Sequence, residues 1–326
     1  MSSPKHIAVV GAGIAGLSCA TLLQQAGFQV SIFDKSRGSA GRMSTRRGED
    51  WECDHGAQYF TARDPNFRNE VARWQQAGVA DLWQRRIKVF DGTRLEDRES
   101  NLARFVGVPR MTAPAHFLAD AFNVVSDTLI DSLHPQADGW SLGAAQQQIL
   151  NQRFDAVLLA IPAPQAVPLL RDVAVDLSNV AASARMRGAW ALMLRYADQP
   201  ELPFDAVFVN HGPLRWVARN NSKPGRSGAH TWLLHASPAW SEEHIEDEAD
   251  TVAAVMLDAF AQLGAPPPQA WTAHRWRYAD SDPALDLGCV WESQLGIGLC
   301  GDWLNGGKVE GAWLSGRALA QRIVEL

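Results

Sequence analysis

Ile7-Ala-Val-Val10, then Gly11-Ala12-Gly13-Ile14-Ala15-Gly16, a helical run and Val30-Ser-Ile-Phe-Asp34 decide how this chain reads. The stretch spells a strand, a glycine turn, a helix and a second strand ending in a carboxylate. Each part has a physical task in holding a dinucleotide. Gly11 permits the turn off the strand, Gly13 lets backbone amides approach a pyrophosphate, and Gly16 lets the helix pack on the sheet. Ala20 and Leu23 continue the buried face of that helix. Its N-terminus offers free N–H groups and partial positive charge to phosphates. Asp34 follows Gly16 by 18 positions, where an acid binds the adenosine ribose hydroxyls. A merely tight strand-to-helix turn explains the glycines but gives Asp34 no task.

The 326 residues are 46% hydrophobic, enough for a large core and two domains. Charged residues make up 20% and the net charge is −6, which argues against a nucleic-acid partner. Of the 30 basic side chains only five are lysines, a balance suited to fixed contacts with phosphates or carboxylates. The plain alternative is GC-rich coding. Cysteines 19, 53, 289 and 300 are scattered, with no CxxC and no metal spacing. Cys19 and Cys53 read as buried thiols of a reducing compartment, and no metal site is expected. Six residues before the first strand leave no room for a signal peptide, and no apolar run reaches the ~20 residues of a membrane span. A cytoplasmic monomer or small homo-oligomer without a membrane partner is expected.

The chain reads as α/β (α+β), with a Rossmann-like nucleotide-binding domain built from both chain ends (1–60, 112–170 and 290–326). A β-rich domain (61–111 and 171–289) is inserted and takes the substrate. Helices are expected at Asn66–Ala77 and Pro114–Phe122, and from about Val309 onward. Strands are expected near Arg86–Phe90, Val124–Val125 and Thr128–Leu133. The apolar run Phe154–Pro162 reads as a buried parallel strand, stopped by Pro162 and Pro164, with Pro168–Leu170 leaving the sheet. Further strands are expected at Ala189–Tyr196, Ala206–Val209, Leu214–Arg219, Thr231–Ser237 and Gly296–Cys300. One long helix, Ser241–Leu263, is expected to start with Ser241 as N-cap and Glu242, Glu243 and Glu246 complementing its dipole.

Three further motifs carry chemistry. Ser36-Arg-Gly-Ser-Ala-Gly41-Arg42-Met43 directly follows Asp34 and Lys35, and Arg42 can pair with a pyrophosphate. In Asp54-His-Gly56-Ala57-Gln58-Tyr59-Phe60-Thr61 the small Gly56 and Ala57 allow a planar ring to lie over backbone, although Tyr59 and Phe60 also read as core aromatics. In Gly301-Asp302-Trp303-Leu-Asn305-Gly-Gly307, Asp302 can contact a ribityl or phosphate group. Val309-Glu310-Gly311-Ala312 then begins the last helix, whose bare face of Gly311, Ala312, Ser315 and Gly316 lets a large ligand or another backbone pack closely.

Together, Gly11–Gly16 with Asp34, Gly41-Arg42-Met43, Gly301-Asp302 and Glu310-Gly311-Ala312 resemble the amine-oxidase-type flavoprotein superfamily. Arg42-Met-Ser-Thr-Arg-Arg47, Asp54–Thr61, Trp216-Val-Ala-Arg-Asn-Asn-Ser-Lys-Pro224 and His274-Arg-Trp-Arg-Tyr278 narrow the resemblance to renalases, particularly bacterial ones, over essentially the whole chain. It implies non-covalent FAD, with Val125 joining the cofactor contacts. It also implies oxidation of dihydro isomers of NAD(P)H whose hydride sits at C2 or C6 of the nicotinamide, the 1,2-dihydro isomer foremost in bacterial members. In that chemistry flavin N5 accepts hydride, β-NAD(P)+ leaves, and O2 is reduced to hydrogen peroxide. Asn220, His235 and Trp276 match renalase active-site positions: Trp276 as a wall of the ring pocket, Asn220 and His235 as partners of carboxamide or ribose. Read from the residues alone, His235 is equally a sheet histidine and Trp276 one tryptophan among 13. Arg185, Arg187 and Arg215 are candidate pyrophosphate contacts or plain surface charge. His55 stands where many relatives carry an apolar residue.

A flavin amine oxidase is the first rival. Such enzymes commonly place a lysine near N5, and here only Lys223 and Lys308 follow Lys88, both in glycine-rich loops. Cys300 is not placed for a thioether to flavin. A quinone-linked dehydrogenase would want an apolar surface segment, and none is visible. A non-catalytic FAD- or NAD-binding sensor would carry the same cofactor motifs.

Overall fold

A computed structural model describes residues 5–97, 101–144 and 152–325. Two large sheets dominate. The first has six strands in the order Val290–Glu292, Ile297–Leu299, Ala156–Leu159, His6–Val10, Gln29–Phe33 and Val124–Val125. All neighbours run parallel except the antiparallel edge strand Val290–Glu292. Ile7 and Val9 face one core while Ala8 and Val10 face another. A strand covered on both sides has to be apolar throughout, and this one is. On one face lie the fingerprint helix Ile14–Gln25 and the last helix, Lys308–Val324. They pack so closely that Ser18 Oγ donates to Trp313 O at 2.6 Å. The other face is covered by Ala163–Leu170, Val175–Ser183 and the hairpin Ile130–Gln136/Gly139–Ala144.

The second sheet has seven strands: Ala270–Ser281, Met186–Tyr196, His230–Ala236, Leu214–Arg219, Ala206–Val209, Ile87–Phe90 and Leu95–Asp97. Its pairs are antiparallel apart from Ala206–Val209 with Ile87–Phe90. Trp190, Leu192, Leu194, Trp232 and Leu234 point to a core closed by Met256 and Phe260 of helix Ala249–Ala261. Cross-strand pairing aligns Phe208, Trp216, His235, Ala191 and His274 in one row. Because successive side chains alternate, this row lies on the sheet face away from that helix.

The long helix expected at Ser241–Leu263 is two helices, Pro238–Glu243 and Ala249–Ala261. The N-cap is Ser237, which accepts from Trp240 N–H; proline suits the first helical position, so Pro238 starts the helix rather than preceding it. Ser241 is fully buried and its Oγ accepts from Trp190 N–H at 3.2 Å. Glu242 and Glu243 sit at the C-terminal end of the first helix, so they do not complement its N-terminus. Glu246 lies between the helices and pairs with Arg275 and Arg277. Pro168 lies inside helix Ala163–Leu170, which carries the chain away from the sheet. Strand Ala270–Ser281, strand Gly139–Ala144 and helix Val175–Ser183 had no counterpart in the sequence reading. All four cysteines are free and buried. Among the described residues no helix is long and apolar enough to cross a membrane.

Candidate active site

The glycine loop is built by close backbone approaches. Gly11 sits at φ +107°, and a Cβ on Gly16 would lie 2.0 Å from Gly11 O. At Gly13, by contrast, a Cβ would meet nothing within 4 Å, and no side chain caps the helix start. The first turn of Ile14, Ala15 and Gly16 therefore presents uncapped N–H groups to open space. Asp34 accepts from Ala12 N–H and Ser36 N–H, each at 2.7 Å, and its own N–H donates to Val125 O at 3.0 Å. One carboxylate thus ties the glycine loop to the end of the second strand. Lys35 beside it is exposed, while Met43 is buried.

Arg42 and Asp302, 260 positions apart, form a bidentate pair, and Arg42 also donates to Ala279 O at 3.1 Å. The expected pyrophosphate arginine and the expected ribityl acid are therefore partners of each other. The last helix starts uncapped behind Gly306 and Gly307, where a Cβ again meets nothing within 4 Å. Val309 and Ala312 are buried, and a Cβ on Gly311 would strike Asn305 O at 1.9 Å. Glu310 is committed elsewhere: its Oε1 accepts from Arg63 and Asp64 N–H at 2.6 and 2.7 Å.

Segment 54–60 crosses from the first sheet's loops onto the row of the second. Ala57 N–H donates to Arg42 O at 2.9 Å, and a Cβ on Gly56 would lie 2.0 Å from that oxygen. Phe60 is core, packed with Phe67, Trp74 and Phe105. Tyr59 is half-buried against Trp83 and Trp216. Beneath the segment lies a fully buried polar hub. Asp54 Oδ2 accepts from Lys223 Nζ at 3.0 Å and Arg226 at 2.6 Å, while Oδ1 accepts from Thr45 Oγ1 at 2.7 Å and Met111 N–H at 3.2 Å. Gln58 Oε1 accepts from Lys223 at 3.1 Å, and its Nε2 donates to Asp54 O and Gly56 O. Burial alone would raise the Asp54 carboxyl, but Lys223 and Arg226 outweigh it and hold it well below the usual carboxylate range. Burial pulls the Lys223 ammonium down, with Asp54 opposing and Arg226 adding to the fall.

Asn220 belongs to this hub. Its Oδ1 accepts from Asp54 N–H at 3.2 Å and its Nδ2 donates to Glu52 O at 3.3 Å, so both ends of the amide hold the strand Glu52–Asp54. His235 and Trp276 converge on a single atom, the His55 carbonyl oxygen, which accepts from His235 Nε2 at 3.0 Å and Trp276 Nε1 at 3.1 Å. The His55 ring stacks on Trp276 at 5.1 Å and meets His274 edge-on at 4.8 Å. Burial, with the charge of Arg215 and Lys223, takes His235 down to about 4 against the pull of its carbonyl bond. Burial, with His274, Arg46 and His235, takes His55 to about 3. Both imidazoles are therefore neutral at pH 7.

The structure brings Asn220, His235, Trp276 and Gly56–Tyr59 to one place. The hub of Asp54, Lys223 and Arg226 was not legible in the sequence. One signal was present: Lys223 stands alone among lysines over a long stretch of an arginine-rich chain. Arg185 pairs with Glu242, Arg187 with Asp280 and Asp282, and Arg215 with Asp280.

The residues suit a dinucleotide with a planar ring. Two uncapped helix starts flank open glycine backbone, and the segment Gly56–Ala57 offers half-exposed, small-residue surface. Residues 9–74 match the NAD(P)-binding Rossmann-like domain family. The L-amino acid oxidase Cdc18 of Crotalus durissus cumanensis is 47% identical over 73 residues, 22% of this chain and 15% of that oxidase. The match to this curated relative thus spans under one-sixth of its length. A protein assigned as a protoporphyrinogen oxidase from Exiguobacterium superposes with a TM-score of 0.80 at 12% identity, covering 100% of this chain and 99% of the other. Cyclohexylamine oxidase of Brevibacterium oxydans gives 0.77 at 12%, with 99% of each chain covered. The chain has the fold of FAD-dependent amine oxidases, built on an NAD(P)-binding Rossmann-like unit.

Proposed function

We propose that this chain is an FAD-dependent oxidase of the renalase kind, acting on 1,2-dihydro and secondarily 1,6-dihydro isomers of NAD(P)H. The observation that carries this reading is the lack of an available base among the described residues around Gly56–Gln58. Asp54 is saturated by two cations, Thr45 and Met111, and Lys223 is held between Asp54 and Gln58. His235 and His55 sit far too low in pKa to take a proton from an ammonium group, and burial with the charge of Arg46 pulls their neighbour His274 down as well. A dihydropyridine that loses hydride becomes an aromatic pyridinium, so no proton has to be removed.

FAD, held non-covalently, supplies hydride acceptance at N5 and return of the electrons to O2 as hydrogen peroxide. The fingerprint helix start and Gly13 receive its pyrophosphate, Asp34 its ribose, and Arg42 with Asp302 the middle of the molecule. The uncapped start of the last helix supports negative charge at the ring edge. Trp276 walls the substrate ring. His235 and Trp276 fix the His55–Gly56 peptide, so they orient the two rings as well as bounding them. Asn220 acts one step removed, by holding Asp54. Four free thiols suit a reducing compartment, the cytoplasm.

The oxidases of amino acids and cyclohexylamine with which this chain shares sequence or fold make amine oxidation the second reading. Exposing the holoprotein to each dihydro isomer, to cyclohexylamine and to L-amino acids without oxygen separates the two. Bleaching by the isomers alone supports the oxidase proposed here. Bleaching by amines alone moves the chain to the second reading, and a flavin that nothing bleaches marks a sensor.

A further inference from the structure

Lys223 and Arg226 share one oxygen, Asp54 Oδ2, and all three side chains are at most 1% exposed. Among the described residues the hydrogen-bonded cluster has one carboxylate for two cations. Stitching a loop requires no such excess; a balanced or neutral pair would hold it at less desolvation cost. Asp54 accepts four bonds, two of them from these cations, and Arg226 also donates to Gly107 O and Pro224 O, so Arg226 does the stitching and Lys223 supplies the extra charge. The excess is also directed. Lys223 reaches Gln58 Oε1 at 3.1 Å, and Gln58 Nε2 in turn donates to Gly56 O at 3.1 Å, the peptide on which the proposed ring lies. A hydride arriving at flavin N5 brings two electrons and one proton's worth of hydrogen, and leaves one negative charge on the ring at its N1–C2 carbonyl edge.

We propose that Lys223 is an electrostatic positioning residue: an internal cation that, through Gln58 and the Gly56 peptide, favours the anionic reduced flavin over the oxidised one. This rests on the FAD reading above. Across the low dielectric of a dry interior, one unit charge near the ring changes the reduced-to-oxidised ratio by about tenfold, which is about 30 mV for a two-electron couple.

The test is the midpoint potential of the purified holoprotein, equilibrated under nitrogen with a reference dye. Lys223→Met is expected to lower the reduced-to-oxidised ratio about tenfold and Lys223→Arg to restore it. Asp54→Asn is expected to raise the ratio, because it removes the one negative charge. Opposite signs are the signature that a purely structural role cannot give, since loss of packing would move both variants alike. Gln58→Glu places a carboxylate against Lys223 and is expected to lower the ratio too, which keeps the test available should Lys223→Met not fold. Equal potentials in Gln58→Glu and wild type, or shifts of one sign in Lys223→Met and Asp54→Asn, overturn the proposal. A wild-type protein that takes up no FAD overturns the cofactor reading instead.

Discussion

Two glycines three positions apart in the fingerprint answer to opposite demands. Gly16 faces protein: a Cβ there would lie 2.0 Å from Gly11 O. Gly13 faces open space, with nothing within 4 Å of a Cβ and an ordinary φ of −77°. Gly16→Ala is therefore expected to cost about 1–3 kcal/mol of stability, read as a lower midpoint in urea. Gly13→Ala is expected to leave the cofactor-free protein within about 0.5 kcal/mol of wild type while weakening FAD binding at least about tenfold, or about 1.4 kcal/mol, by fluorescence titration. Equal stability losses in the two variants would show that the loop is packed against protein on both sides. Beside the His55 carbonyl the same scale applies to Trp276: Trp276→Phe keeps a ring but removes the bond to His55 O, and is expected to lower kcat more than it raises KM.

At the scale of elements, what could be read from sequence was what is local. The opening strand, turn, helix and strand fall within 34 residues, and period and glycine spacing specify them without help from the rest of the chain. The helix at Pro65–Gln76 was legible within one residue because Asp64 caps it and Pro65 suits its first turn. The strand Ala270–Ser281 escaped because it is half-buried along nearly its whole length, so inward and outward positions do not separate by polarity. The break between Pro238–Glu243 and Ala249–Ala261 escaped because acidic residues there suit a helix start and a loop equally. Ser237 is the cap that decides it, and Ser237→Ala is expected to cost about 1 kcal/mol in thermal unfolding. The hub was beyond reach of spacing: Asp54 and Lys223 are 169 positions apart. Only the pairing of the second sheet with the loops of the first brings them together.

For the whole molecule, the same burial that shapes the site sets its response to acid. In the unfolded chain His55 and His235 protonate near 6.5; in the folded protein they do so only near 3 and 4. Their contribution to stability is present above pH 6.5 and is lost as the pH falls from 6.5 toward 4. Through that window the unfolded chain binds protons that the folded one refuses, at about 1.4 kcal/mol per pH unit for each histidine. Asp54, held low by Lys223 and Arg226 against its burial, contributes above the usual carboxylate range and is lost only at still lower pH. Urea unfolding at pH 7.5, 6 and 5 is expected to show falling midpoints. Replacing His55 by leucine is expected to flatten that fall, and an unchanged slope would mean that the ring titrates in the folded state. The molecule joins a parallel sheet that offers helix starts to a phosphate with an antiparallel sheet that offers a row of rings, and segment 54–60 is the seam between them. In the proposed function a dihydropyridine gives hydride to flavin at that seam. Its most direct test is a single anaerobic turnover with one equivalent of the 1,2-dihydro isomer of NADH, followed by an oxygen pulse. Loss of the flavin's visible absorbance with one equivalent of β-NAD+ formed, then full recovery of colour with one equivalent of peroxide, is expected. A flavin that keeps its colour in the presence of that isomer would contradict it.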